Sequence, residues 1–129
     1  MGRYTQWITY RDKQILRVDC QDLNEPEFLQ AMDEMYAELL KSPPNGVGVL
    51  TLMNPSKTRM TNAMTAKARE VTAALTAQGI QQKPSALVGL NGLLRSIAGL
   101  INRRAGTKDN MYYADTEADA KEWLVQQDK

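Results

Sequence analysis

The chain has 129 residues, of which 43% are hydrophobic and 24% are charged. This size and balance predict a single folded domain over residues 1–129 and exclude global disorder. Sixteen basic residues are offset by fifteen acidic ones, and the formal net charge of +1 gives no reason to expect nucleic-acid binding. No apolar run is long enough to cross a bilayer, so we expect no transmembrane segment.

Histidine is absent from the chain, and Cys20 is its single cysteine. The lack of histidine excludes histidine-based catalytic triads, histidine metal sites and the usual proton shuttle at neutral pH. A lone thiol forms no intrachain disulfide and the first residues show no apolar signal segment, which together predict a reducing, cytoplasmic setting. No clear nucleophile–base pair or acid dyad is present, so we expect no enzyme, no cofactor and no metal site.

The chain begins with a predicted hairpin followed by a helix. Residues 7–10 and 14–19 have strand patterns, and residues 11–13 join them as a polar turn. Imperfect alternation in the second strand predicts one well-buried face. Asn24 and Glu27 have the spacing of a capping box, and helical apolar spacing then continues to a stop near residue 42.

The remaining elements alternate between strands and helices. In chain order they are a strand at residues 47–52, a helix capped by Thr61, a strand at 85–89, a helix capped by Asn91, a strand at 111–114 and a helix capped by Asp115 or Thr116. The order β-β-α-β-α-β-α-β-α predicts an α/β fold. We expect a mixed sheet of about five strands with an N-terminal antiparallel hairpin, its other strands mostly parallel, and helices packed on it.

The sequence LVGLNGLLR, at the end of the fourth predicted strand, is a candidate anion site. A helix N-terminus offers free N–H groups to a phosphate or carboxylate, and Gly89, Asn91, Gly92 and Arg95 would surround such a ligand. Neither the dinucleotide fingerprint nor the P-loop pattern is met. The alternative is structural: one glycine ends a strand and the other allows a helix to pack closely on it.

The loop after the third predicted strand is a second candidate, because it lies at the sheet end where ligands of α/β proteins bind. It contains three hydroxyl side chains and two basic ones among Ser56, Lys57, Thr58, Arg59, Met60 and Thr61. A phosphate on one of these hydroxyls would be favoured by the adjacent helix dipole. The alternative is a solvated loop in which Thr61 acts as an N-cap.

A third candidate is the unusually wide apolar face of the helix that Asn91 caps. Leu94, Ile97 and Ile101 lie on that face. A stripe of this width is either buried in the core or shared with a second copy or an apolar ligand. Core burial, a homodimer interface and a ligand groove therefore remain alternatives.

Five segments carry a family resemblance: ITYRDKQILRVD, GVGVLTL, TRMT, SALVGLNGLLRSI and YYADTEADAKEWL. In order and spacing they resemble the SpoIIAA-like family of small bacterial STAS and CRAL-TRIO-type domains, over nearly the whole chain. The resemblance implies a STAS-like fold. It also implies two kinds of relative: anti-sigma-factor antagonists, which bind a kinase and are switched by serine phosphorylation, and CRAL-TRIO proteins, which carry lipids in an apolar pocket.

In the anti-sigma-factor antagonists the phosphorylated serine lies in an Asp-Ser-Ser/Thr-Gly pattern, at the start of the helix after the third strand. The corresponding positions here are Arg59, Met60, Thr61 and Asn62. The acid and the usual acceptor are both missing, so the resemblance implies a relative without the usual serine phosphoswitch.

Two functions follow as expectations. The first is a non-enzymatic, cytoplasmic STAS-like regulatory domain that binds an unidentified protein partner, or a second copy, through the segment 57–65 together with the helix capped by Asn91. The second is a small-molecule or lipid-binding domain with an apolar pocket between the sheet and the helix capped by Asn91. An exposed Thr61 beside apolar residues would favour the first, and a cavity would favour the second.

Overall fold

The structure is a computed structural model that describes residues 3–54, 61–78, 84–89 and 111–127. Within these ranges the chain forms five strands and three helices. They are β1 (Thr5–Tyr10), β2 (Lys13–Cys20), α1 (Glu25–Leu40), β3 (Gly46–Met53), α2 (Asn62–Ala77), β4 (Ser85–Val88), β5 (Met111–Ala114) and α3 (Glu117–Gln127). The predicted helix capped by Asn91 lies outside the described residues.

The five strands form one mixed sheet in the order β1-β2-β3-β4-β5. β1 pairs with β2 in antiparallel fashion, whereas β2, β3, β4 and β5 are parallel to their neighbours. The α/β class, the N-terminal hairpin and the mostly parallel sheet are therefore confirmed. The connections β2–α1–β3 and β3–α2–β4 each lead to the neighbouring strand, in the same direction across the sheet. Because such crossovers are right-handed, α1 and α2 lie on the same face of the sheet.

Two apolar cores lie on opposite faces of this sheet. The core under α1 and α2 contains the buried residues Leu16, Val18, Cys20, Phe28, Ala31, Met32, Leu39, Val49, Met64, Val71 and Leu75. The core under α3 contains Ile15, Val47, Leu50, Leu52, Ala86, Ala114, Ala120 and Leu124. β3 is buried on both faces, as predicted. β2 has the one well-buried face that was predicted, formed by Leu16, Val18 and Cys20, and Ile15 is in addition buried under α3 on the other face.

The hairpin turn is shorter than expected. Tyr10 pairs with Lys13, which leaves only Arg11 and Asp12 in the turn instead of residues 11–13. Both turn residues have positive φ angles, 53° and 64°. Two left-handed residues give the turn the twist that matches the flanking strands, a geometry that usually selects Asn-Gly.

The predicted helix caps are largely confirmed. The Asn24 side chain accepts a hydrogen bond from the N–H of Glu27 (2.9 Å), and the Glu27 carboxylate accepts one from the N–H of Asn24 (3.0 Å). Thr61 caps α2. Of the two alternatives for α3, the hydroxyl of Thr116 accepts from the N–H of Asp119 (3.1 Å). α1 ends at Leu40, two residues before the predicted stop.

α3 lies directly against β3, at a position where the strand has no side chain. A Cβ atom on Gly48 would lie 2.6 Å from Leu124 Cδ2 and 2.7 Å from the carbonyl oxygen of Pro84. Leu124 is fully buried. The glycine therefore makes room for the leucine that anchors α3.

Candidate functional site

The carboxyl ends of the parallel strands and the starts of the helices meet at one edge of the sheet, which we call the helix-start edge. α1 follows β2, α2 follows β3 and α3 follows β5. Each helix begins where a parallel strand has just ended, so the three helix N-termini lie at this edge. Thr61 and Gly89 both lie there, as the sequence predicts. This is the edge at which ligands of open α/β sheets bind.

The hydroxyl and the N–H of Thr61 make three hydrogen bonds at the start of α2, in addition to the backbone bond that its carbonyl oxygen accepts from Thr65. The Thr61 hydroxyl accepts from the N–H of Met64 (3.2 Å) and donates to Glu25 Oε1 (2.6 Å). Its own N–H donates to the sulfur of Met64 (3.4 Å). The first bond satisfies one of the free N–H groups at the helix start. The hydroxyl thus both caps α2 and links it to α1. Thr61 is half-buried. The partner-binding interpretation expected it to be exposed, and that expectation was wrong.

A second polar contact joins the same two helices. Lys67 of α2 forms an ion pair with Asp33 of α1. The hydrogen bond to Asp33 raises the pKa of Lys67 above its usual 10.5, against a smaller opposing effect of desolvation. Lys67 lies about one and a half turns beyond Thr61, and Asp33 lies two turns beyond Glu25. The two contacts therefore fix α1 and α2 against each other along their N-terminal halves.

Among the described helices α1, α2 and α3, acidic side chains already occupy two of the three starts. The first turn of α1 carries Glu25 and Glu27, and that of α3 carries Glu117 and Asp119. These carboxylates lie near the positive ends of the helix dipoles, where a bound anion would also be favoured. The first turn of α2 has no acid of its own. Glu25 nevertheless bonds to Thr61, so a phosphate on that hydroxyl would lose this bond and meet a carboxylate of like charge.

Gly89 has a φ of 80°, in the left-handed region that residues with a side chain rarely adopt. Its place directly after β4 therefore requires a glycine for conformational reasons alone. This observation supports the structural interpretation of the first glycine in LVGLNGLLR. Its predicted companions Asn91, Gly92 and Arg95 lie outside the described residues.

Two other sets of predicted site residues also lie outside the described residues. They are the loop residues Ser56, Lys57, Thr58, Arg59 and Met60, and the apolar residues Leu94, Ile97 and Ile101. The structure therefore places only Thr61 and Gly89 among the candidates. The helix-start edge also contains a residue that the sequence did not single out, Glu25, which is 36 positions from Thr61 and is brought to it by the packing of α1 on α2.

Cys20 is buried at the end of β2 and has no exposed surface. Burial raises its pKa from an ordinary 9.0 to about 12, with a further contribution from the negative charge of Asp19. The reactive thiolate is therefore scarce at neutral pH. Among residues 3–54, 61–78, 84–89 and 111–127, no group of three or more His, Cys, Asp or Glu side chains is arranged to hold a metal ion.

None of the helices α1, α2 and α3 in the described ranges is long and apolar enough to span a membrane. Comparison with protein-family models gave no match to this chain, and comparison with curated protein sequences gave none either.

Proposed function

We propose that the chain is a non-enzymatic, STAS-like regulatory domain that binds a protein partner through the start of α2, without the usual serine phosphoswitch. The family part of this proposal depends on the resemblance of the sequence to the SpoIIAA-like family. Its location depends on the fold: α2 follows the third strand, and that is the helix start used by the relatives that the sequence resembles.

The observation that carries the proposal is the hydrogen bond from Thr61 to Glu25. Thr61 is the hydroxyl residue nearest to the position of the usual phosphorylated serine. Its hydroxyl already donates to a carboxylate at 2.6 Å and accepts from a backbone N–H. A phosphate at this oxygen would remove the donor and add negative charge beside Glu25. These contacts favour an interaction surface that is constitutive over one that phosphorylation switches.

The residues that follow Thr61 are available to a partner. Asn62 and Ala63 are exposed in the first turn of α2, while Met64 behind them is fully buried. The buried methionine and the two contacts to α1 hold the exposed turn in place. A partner would therefore meet a surface that is already ordered, which lowers the entropic cost of binding.

Site-specific photocrosslinking tests this surface. A benzophenone amino acid would replace Ala63 in one variant and Gln126, an exposed residue of α3, in a control. Both variants would be expressed and irradiated in a bacterial host of the protein's own type. We expect a discrete protein adduct with the probe at position 63 and none with the probe at position 126. Charge reversal at Arg59 should weaken the adduct at position 63 without unfolding the chain. Equal labelling at both positions, or none at position 63, would contradict the proposed surface.

A further inference from the structure

α3 covers the second face of the sheet with a short apolar contact. Ala120 and Leu124 are fully buried beneath it, and Trp123 stacks on Tyr112 of β5 with the ring centroids 5.2 Å apart. The helix has eleven residues. A helix of this length is marginal in water on its own, so its structure depends on this docking. α3 makes no strand pairing, and its departure would leave every ladder of the sheet in place.

The flank of α3 that lies away from Trp123 is polar. It contacts the β1–β2 hairpin through the side chains of Glu117 and Glu122. Glu122 uses both carboxylate oxygens: Oε1 accepts from the Arg11 guanidinium at 2.8 Å and Oε2 from the Tyr10 hydroxyl at 2.9 Å. Nearer the start of α3, Glu117 Oε1 accepts from Arg17 Nε at 3.0 Å.

Lys121 connects these two groups of contacts. Its ammonium is 3.8 Å from Glu117 Oε1 and 5.9 Å from the centre of the Tyr10 ring. We call the whole set the hairpin–α3 network; its members are Tyr10, Arg11, Arg17, Glu117, Lys121 and Glu122. The hairpin–α3 network thus adds ionic and polar contacts to the apolar packing of Ile8, Tyr10 and Ile15 in the core under α3.

The network is open to dissolved ions. The side chains of Arg11 and Glu122 are 62% and 33% exposed, and those of Arg17 and Glu117 are 25% and 34% exposed. Salt screens charge pairs at this level of exposure. α1 differs, because four buried apolar side chains hold it to the opposite face: Phe28, Ala31, Met32 and Leu39.

We propose that the hairpin–α3 network is a salt-sensitive attachment, so that α3 opens as a unit, ahead of global unfolding, more readily as ionic strength rises. Opening would uncover the apolar side chains of Ile15, Leu50 and Leu52, which are at most 4% exposed when α3 is in place. The network is separate from the partner surface on α2, and it meets the helix-start edge only at Glu117, in the first turn of α3.

Hydrogen exchange followed by mass spectrometry tests this inference on the full chain at 50 and 500 mM NaCl. We expect the amides of α3 to exchange about threefold faster at high salt, as the loss of two to three exposed charge contacts predicts, with α1 and β3 unchanged. Glu122→Gln should raise the exchange rate of the α3 amides at low salt and reduce the change in that rate between low and high salt.

Asp119→Asn is the matched control, because it removes one charge from the same helix. Asp119 contacts Tyr112 on the other flank (2.8 Å) and is not part of the network. This variant should keep the salt response of the wild type. Three results would overturn the inference: α3 exchange that does not respond to salt, α3 amides that exchange only together with those of β3, or equal effects of the two substitutions.

Discussion

Replacing Thr61 by alanine removes two hydrogen bonds at once, and their separate contributions can be measured. Loss of an N-cap hydroxyl costs about 1 kcal/mol of unfolding free energy. The bond to the Glu25 carboxylate adds about 0.5 kcal/mol, a value reduced for the exposure of that side chain. We therefore expect Thr61→Ala to destabilise the chain by about 1.5 kcal/mol. Thr61→Ser keeps the hydroxyl and should cost less than half as much.

A double-mutant cycle with Glu25→Ala isolates the bond between the two helices. Glu25 also lies in the first turn of α1, so its replacement alone loses a favourable interaction with the helix dipole, which cancels in the cycle. Urea unfolding at 25 °C of the wild type, both single variants and the double variant should give a coupling of about 0.5 kcal/mol. A coupling of zero within error, or a serine variant as unstable as the alanine variant, would refute the role assigned to the Thr61 hydroxyl.

Three further predictions concern the fold away from Thr61. Gly48→Ala should cost about 2 kcal/mol in urea unfolding, because its Cβ would meet Leu124 at 2.6 Å, whereas Gly46→Ala, with its nearest atom at 3.1 Å, should cost less. Asp12→Gly should raise the unfolding free energy by about 0.5 kcal/mol and Asp12→Ala should lower it, since φ is 64° there; equal effects would contradict a left-handed residue in solution. Cys20 should resist iodoacetamide at pH 8 and react at once in 6 M guanidinium, as burial raises its pKa to about 12; rapid labelling of the folded chain would show that the thiol is accessible.

The raised pKa of Cys20 also predicts how the free energy of unfolding changes at high pH. Because the folded pKa of Cys20 lies above its unfolded value of 9.0, the neutral thiol contributes stability that is complete below pH 9 and is lost as the pH rises toward about 12. Cys20→Ala removes this contribution. The variant should therefore lose less unfolding free energy than the wild type between pH 9 and 11, and equal losses would contradict the burial of an ionisable thiol.

Local features of the chain were predictable from the sequence because they depend on neighbours a few residues apart. The capping box at Asn24 and Glu27 and the cap at Thr61 need only three-residue spacing and a following helix. The apolar run of β3 indicates burial on both faces without further information. The alternation of strands and helices then predicts a mostly parallel sheet after the hairpin.

Other features depend on packing that no short pattern records. The burial of Ile15 on the second face of β2 requires α3, which begins about one hundred residues later. The turn at Arg11 and Asp12 lacks the glycine that usually signals a two-residue hairpin, so a longer turn was expected. Glu25 has no sequence signal as a partner of Thr61, because only the packing of α1 on α2 joins them.

Intact-mass measurement under native and denaturing conditions, on protein expressed in its own type of host, distinguishes a constitutive protein-binding surface from a phosphorylation switch and from a ligand-binding domain. We expect a chain without a phosphate-sized covalent addition at Thr61 or Ser56 and without a small-molecule adduct that is lost on denaturation. A phosphate on Thr61 would contradict a constitutive surface fixed by the Thr61–Glu25 bond. A bound apolar molecule would instead favour the lipid- or small-molecule-binding function over a protein-interaction domain.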